Sequence, residues 1–541
     1  MTSTPPAPTP CSPAWLRLAF AFAVLAFVGW RVSENTADND LWGHVLYGQR
    51  MLHLGGLETT ETLSWTASGQ PWINHEVLAE LALGWVHRLA GGTGVWLLMM
   101  TMAALSIGAA WRAGAGQETG QRVVALALLA LSGNFIALGY AARPQLFTYL
   151  FFVLLLLALR RLLAGRLLPW AGVVPLLLAI WANAHGGFLA GWLVVIVAVG
   201  VAIISGFLPE LCRQYRCVPT PLKPAALVGV ALASTLALAA NPWGWKLVTW
   251  TFATLSLPRP TITEWQPMPL AGWSLPFFAT VALGLLGWLY TRLPRRAWEM
   301  AVWCLFAAIA CQHQRHAPLF GLATLVLLPP HLLDVVRRFA PHLASLQTAG
   351  QRPAAAFAGA VALACAGVAS VWASASPTLR PHAGTMAVPR DLFPVAAIEF
   401  MRAHRITGNT ITFFDWGQQV LWELPDNPVS FDGRLDTVYP LEIMDAHWRL
   451  YAGEDPGPAL RLGDAACALL PSNSGAVAFL HRLGWSVVYY DPLAAVLVRP
   501  RATIPDHAGM TDGGAAAIAG TDRFPDRPPV LATRGAPASE P

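Results

Sequence analysis

The stretch AWLRLAFAFAVLAFVGWRVSENTADNDLWGH, Ala14 to His44, decides the fold. Its first half carries only Arg17 before Arg31, and about 20 apolar residues suffice to cross the ~30 Å hydrocarbon core of a bilayer. Its second half turns polar at once and sets Asp38, Asp40 and His44 beside that span. Two carboxylates and an imidazole at a membrane boundary either cap a helix or do chemistry there.

The same alternation recurs along the chain. Of 541 residues, 55% are hydrophobic and 12% charged, about half the charge of a soluble domain. Apolar runs at 14–31, 92–111, 123–142, 146–159, 168–182, 188–208, 224–240, 270–290, 297–311, 317–330 and 354–376 give roughly eleven candidate spans. The expectation is a polytopic α-helical membrane protein. Short loops holding Arg112 and Arg122, Arg160 and Arg161, Arg213 and Arg216, Arg292 and Arg295, and Arg337 and Arg338 alternate with loops poor in basic residues. The positive-inside rule makes the basic loops and the N-terminus cytoplasmic and places everything after Ser376 outside. The net charge of +5 follows from this topology and gives no support to a nucleic-acid partner. No small-residue cleavage site follows the first run, which therefore reads as an uncleaved anchor. Only Cys467 falls in the outer segment, so no internal disulfide is expected there, and Cys212 and Cys217 lack the further ligands of a zinc site.

Unusual polar residues gather on the outer side. The first outer loop, 32–91, contains Glu34, Asp38, Asp40, Glu58, Glu61, Glu76 and Glu80, together with "SWTASGQPWINHE" and its adjacent His75 and Glu76. Later outer turns bring "RPQ" with Arg143 and Gln145, "WANAHGGF" with Asn183 and His185, "TITEWQPM" with Glu264, and "QHQRHAP" with Arg315 and His316. Singly, each has a plain explanation. Asp38 or Asn39 would cap the helix starting near Leu41, and Trp42, Trp72 and Trp265 would join an interfacial belt. Capping and anchoring operate at both membrane faces, however, whereas these residues crowd one. Ionisable groups are nearly absent from the spans, which argues against ion-coupled transport.

From Ser376 the composition becomes that of a soluble chain. The helix "FPVAAIEFMRAH", strands in "NTITFFD", "NPVSFDGRLD", "AACALLP", "WSVVYYD" and "AAVLVRP", and the helix "GAVAFLHRL" imply a small extracytoplasmic α/β domain over 377–500. The tail 501–541, rich in Gly, Pro and Ala, reads as disordered. In "FDGRLD" the Asp-Gly pair is either a tight turn or, with Asp432 and Arg434 at a strand end, a ligand contact.

Together these segments resemble the GT-C membrane glycosyltransferases, particularly bacterial relatives of protein O-mannosyltransferases and aminoarabinose transferases. "DNDLWGHVLYGQRML" and "SWTASGQPWINHE" stand where that class places its acidic first-loop motif and its second loop element. One departure is that Leu41, not a second acid, follows Asp40; the acidic pair here is Asp38 and Asp40. The resemblance implies a GT-C-like bundle and sugar transfer from a polyprenyl-phosphate-linked donor to a glycan, lipid or protein acceptor, with inversion. Asp40 would be the base, with Asp38 in reserve. Arg143 and Arg315 would stabilise the leaving phosphate. His44, His75, Glu76, His185 and Glu264 would bind sugar hydroxyls or orient the base, with Gln145, Asn183, His316, Asp432 and Arg434 as further substrate contacts. No cofactor is required, although Asp38, Asp40, His75 and Glu76 offer ligands for a divalent metal. The arginine-rich, lysine-poor usage fits a bacterial inner membrane. Two other readings stay open: a non-enzymatic membrane protein displaying its outer domain for assembly or sensing, and a lipid carrier or flippase.

Overall fold

The computed structural model describes residues 14–255, 262–339, 382–500 and 510–526. They fall into two compact units: one contains 14–34, 99–141 and 145–339, the other 35–98, 142–144 and 382–526.

The first unit is helical. It contains α1 (Ala14–Val32), and the chain returns to it after α2 (Leu41–Leu54) along α3 (Val77–Ala115). There follow α4 (Thr119–Ala137), α5 (Gln145–Leu163), α6 (Leu167–Ala182), α7 (Phe188–Phe207), the short α8 (Pro209–Gln214), α9 (Pro224–Ala237), α10 (Trp245–Leu255), α11 (Leu275–Tyr290), α12 (Ala297–Gln312), α13 (Ala317–Leu327) and α14 (Pro329–Phe339). Each apolar run from 14–31 to 317–330 coincides with a helix; the run 354–376 lies outside the described residues. Among the described residues, five helices are long and apolar enough to cross a membrane, or six if the pair at 314–339, bent by 64°, is one span. The core of this unit is aromatic. Phe135, Phe277, Phe320 and Trp303 pack together, and Trp303 Nε1–H donates to Thr324 at 2.9 Å. Buried Glu299 is tolerated because Arg160 reaches it at 2.9 Å and Arg296 at 3.1 Å.

The second unit contains α2, the start of α3 and the C-terminal sheet. Its main sheet has the order β2 (Thr410–Thr412), β3 (Cys467–Pro471), β5 (Ala494–Val498), β4 (Ser486–Tyr490) and β6 (Thr511–Asp512). β3–β5 and β5–β4 are antiparallel, while β2–β3 and β4–β6 are parallel. A separate pair joins β1 (Ala387–Pro389) to β7 (Thr521–Arg523). Helices α15 (Val395–Ala403), α16 (Gly417–Glu423), α17 (Leu441–Tyr451) and α18 (Gly475–Arg482) complete the unit. The stretch before "FDGRLD" forms no strand and makes only isolated bridges at Val429, to Ser64 and Thr410.

These boundaries differ from a division at 376 and 500. Most of the first loop belongs with the C-terminal sheet: Ala37 N–H donates to Ala387 O at 2.7 Å, Ala387 N–H to Asn35 O at 2.8 Å, and Trp65 N–H to Val429 O at 3.1 Å. Residues 510–526, expected in a disordered tail, instead supply β6 and β7 and bury Phe524 against Trp42, His87 and Trp422. Such pairing is non-local and leaves no periodic trace in the sequence.

Candidate active site

Asp40 occupies the N-cap position of α2, yet its side chain makes no capping hydrogen bond. Its backbone N–H donates instead to Asp38 Oδ1 at 3.0 Å. Arg143 spans the two carboxylates, with Nε 2.5 Å from Asp38 Oδ1 and Nη2 3.1 Å from Asp40 Oδ2. The bland explanation of this stretch, helix capping, therefore does not account for the Asp40 carboxylate. Asp40 is 26% exposed, so it remains within reach of a ligand. Burial pushes its pKa up, Arg143 and His44 pull it down, Asp38 and Glu76 add to the rise, and the result is about 6. Asp415, just beyond β2, lies near Asp38 and Arg143 and is hydrogen-bonded by Asn39; burial raises it too, to about 6.

One turn into α2, His44 turns toward the start of α3. Its Nδ1 lies 3.2 Å from Glu80 Oε1 and 3.6 Å from Glu76 Oε2, while Asn74 Nδ2–H donates to Glu80 Oε2 at 2.5 Å. Burial works against the imidazolium, but Glu76, Glu80 and Asp40 outweigh it and hold the ring near pKa 9. His75 Nε2 approaches the other oxygen of Glu76 at 3.6 Å. Among the described residues, the group close enough to share a divalent ion is His44, Glu76 and Glu80, not the set Asp38, Asp40, His75 and Glu76. One imidazole nitrogen and two carboxylates suit such an ion chemically. The proton on His44 fulfils the same charge-balancing role.

Small residues let these elements meet. A Cβ on Gly48 would lie 1.9 Å from the Glu80 carbonyl oxygen, so α2 and α3 cross with backbones nearly touching. Gln418 of α16 fits over Gly43, whose N–H donates to its Oε1 at 3.1 Å.

Asp432 and Arg434 are committed internally. Arg434 donates to Asp432 Oδ2 at 2.7 Å and forms an ion pair with Glu61, while Tyr439 O–H donates to Asp432 Oδ2 at 2.8 Å. The Arg434 guanidinium also lies 5.2 Å from the Tyr47 ring and 5.1 Å from the Trp72 ring. Burial alone would raise Asp432, but Arg434 holds it below the usual carboxylate range. Both side chains are buried, and they lock "FDGRLD" onto the first loop.

The helical unit has a mostly apolar cavity of about 250 Å³ whose lining includes the polar residues Gln145, Thr148, His185, Glu264, Arg315 and His316. Arg315 stacks on Trp265 at 4.3 Å and stands 3.7 Å from Glu264. His185 Nδ1 accepts from Gly187 N–H at 2.9 Å, which places the proton of the neutral ring on Nε2. Asn183 is not in the lining; its amide donates to Ala179 O and Ala240 O at 2.8 and 2.7 Å. The sequence thus marks most of these residues. It does not mark Asp415 or Gln418, which look like an ordinary strand end and helix surface, and it shows Glu80 only as one acid among several.

No family model and no curated protein matches the sequence. Among solved structures the chain is similar to the archaeal oligosaccharyltransferase AglB from Archaeoglobus fulgidus in complex with an inhibitory peptide and a dolichol-phosphate. The TM-score is 0.53 at 12% identity, covering 85% of this chain and 69% of that one. The Archaeoglobus fulgidus oligosaccharyltransferase tethered to an acceptor peptide containing the NVT sequon gives 0.51 at 13% identity, covering 85% and 70%. ArnT from Cupriavidus metallidurans bound to undecaprenyl phosphate gives 0.47 at 13% identity, covering 90% and 98%. The first two likenesses establish the fold, which is that of the archaeal oligosaccharyltransferase.

Proposed function

We propose that this protein is a glycosyltransferase that moves a sugar from a polyprenyl-phosphate donor to an acceptor hydroxyl on the outer face of a bacterial inner membrane. The observation carrying this reading is the Asp40 carboxylate: it stands at a helix N-cap without capping, faces Arg143 and stays accessible. A carboxylate near pKa 6 is mostly ionised at neutral pH yet basic enough to take a proton. The GT-C fold supports the same reading.

In this mechanism Asp40 accepts the acceptor's hydroxyl proton as its oxygen attacks the anomeric carbon. The bond from that carbon to the phosphate oxygen breaks, and the lipid phosphate departs with the electron pair. A single displacement needs one base and inverts the anomeric centre, unlike the paired carboxylates of a retaining hydrolase. Arg143 orients Asp40 through its Nη2. Arg315, held by Trp265 in its cavity, provides a planar cation suited to a phosphate. Should His44, Glu76 and Glu80 hold a divalent ion, it would supply additional positive charge beside the base.

The test is transfer by purified protein in lipid from a panel of undecaprenyl-phosphate-linked hexoses and pentoses. Asp40→Asn is expected to lower turnover by about 10²-fold or more while the protein keeps its thermal transition. Equal turnover by a folded Asp40→Asn variant would remove Asp40 as the base.

A further inference from the structure

Gly433 lies at the centre of "FDGRLD", where a glycine is usually explained by backbone conformation. That explanation does not apply. Gly433 is not in the left-handed region; the residue of this loop that is there is Leu435, at φ 43°. What the glycine provides is space. A Cβ built at 433 would lie 2.1 Å from Asp40 Oδ1, 3.3 Å from Asp40 Cγ and 3.1 Å from Gln418 Nε2. The other Asp40 oxygen is the one that meets Arg143. The carboxylate is therefore bounded by a cation on one oxygen and bare backbone under the other.

We propose that Gly433 is a positioning residue: its missing side chain is the seat of the Asp40 carboxylate, which makes the C-terminal "FDGRLD" loop part of the catalytic centre. This rests on the reading of Asp40 as the base. The loop is rigid enough to serve, because Asp432 and Arg434 on either side of Gly433 are tied to Tyr439 and Glu61 in a buried network. Gln418 reinforces the seat from α16, holding the N–H of Gly43 with its Oε1 while its Nε2 lies beside Gly433. A methyl group at 433 must displace something. Its closest neighbour is the mobile end of Asp40, not main chain, so the carboxylate gives way by about 1 Å, and a misplacement of that size costs on the order of 10²-fold in rate.

The experiment uses the full-length protein in lipid and compares the wild type, Gly433→Ala, Asp40→Ala and the double variant. In thermal unfolding, Gly433→Ala is expected to lower Tm in the wild-type background and to cost less once Asp40 is alanine, because the atom it strikes is gone. Equal losses in both backgrounds would overturn the proposal. If Gly433→Ala does not fold, recovery of folding in the double variant supports the contact, and failure to recover refutes it. With an undecaprenyl-phosphate-linked sugar that the wild type uses, Gly433→Ala should lower kcat by about 10²-fold at unchanged donor KM; a kcat within twofold of wild type would again overturn it. Should Asp40→Asn remain active, or the wild type turn over no donor, the assignment of the base fails separately, and the stability coupling still decides whether Gly433 seats the carboxylate.

Discussion

Asp40 and His44 are four residues apart on α2, and each is shifted by its surroundings in a way that has a measurable pH signature. On the proposal that Asp40 is the base, its pKa of about 6 predicts transfer that rises with pH up to about 6 and levels off above it, checked by initial rates from pH 4.5 to 8. His44 acts on stability. Its folded pKa of about 9 exceeds the 6.5 of an ordinary histidine, so the folded state holds a proton that the unfolded chain releases between those values. The stabilisation is complete below pH 6.5 and disappears as pH rises through 9. Tm should fall across that window, and His44→Gln should flatten the fall. At this scale the sequence was informative where position was: Asp38, Asp40 and Arg143 stand out because they fall in the loops between apolar runs where acids, histidines and asparagines gather. Asp415 carries no such mark, since its importance comes from being placed near Asp38 by a fold that pairs residues far apart in the chain.

Helices of the first unit were readable for a simple reason: an apolar run long enough to cross a bilayer has few other folds open to it. The elements of the second unit were harder, because what matters is where they touch. α2 and α3 cross at Gly48 and Gly84, whose added Cβ atoms would lie 1.9 and 2.6 Å from the opposing main chain. No flexible side chain can absorb that contact. Gly48→Ala should therefore cost about 1–3 kcal/mol, the range for overpacking, read as a lowered Tm. It should also weaken the hold of Glu80 on His44, since the carbonyl struck belongs to Glu80 itself. The Asp-Gly pair of "FDGRLD" shows the same limit from the other side. Its residues permit a turn or a contact, and only the packing reveals that the glycine serves a close approach.

Taken as a whole chain, the second unit is a composite of three separated segments, with a tripeptide at 142–144 delivering Arg143. Phe524, near the end of the described residues, packs on Trp42 and His87 of the first segment and on Trp422 of its own. Phe524→Ala should destabilise the unit by about 3 kcal/mol or more, seen as a lower Tm and easier proteolysis around α2. The helical content and the C-terminal α/β segment were visible in composition and periodicity. The union of the first loop with the C-terminal sheet was not, since it depends on hydrogen bonds between residues more than three hundred positions apart, such as Asn35 Nδ2–H to Thr385 O at 2.9 Å.

That composite construction orders events during synthesis. Asp40 leaves the ribosome before α3 to α14, whereas Gly433 and the Arg434 lock follow only after those helices have been made. A nascent chain, or one cut short by a premature stop, can insert its helices and still lack a seated carboxylate. The close approach of the Asp40 carboxylate to Gly433 is therefore made only once both segments have been translated.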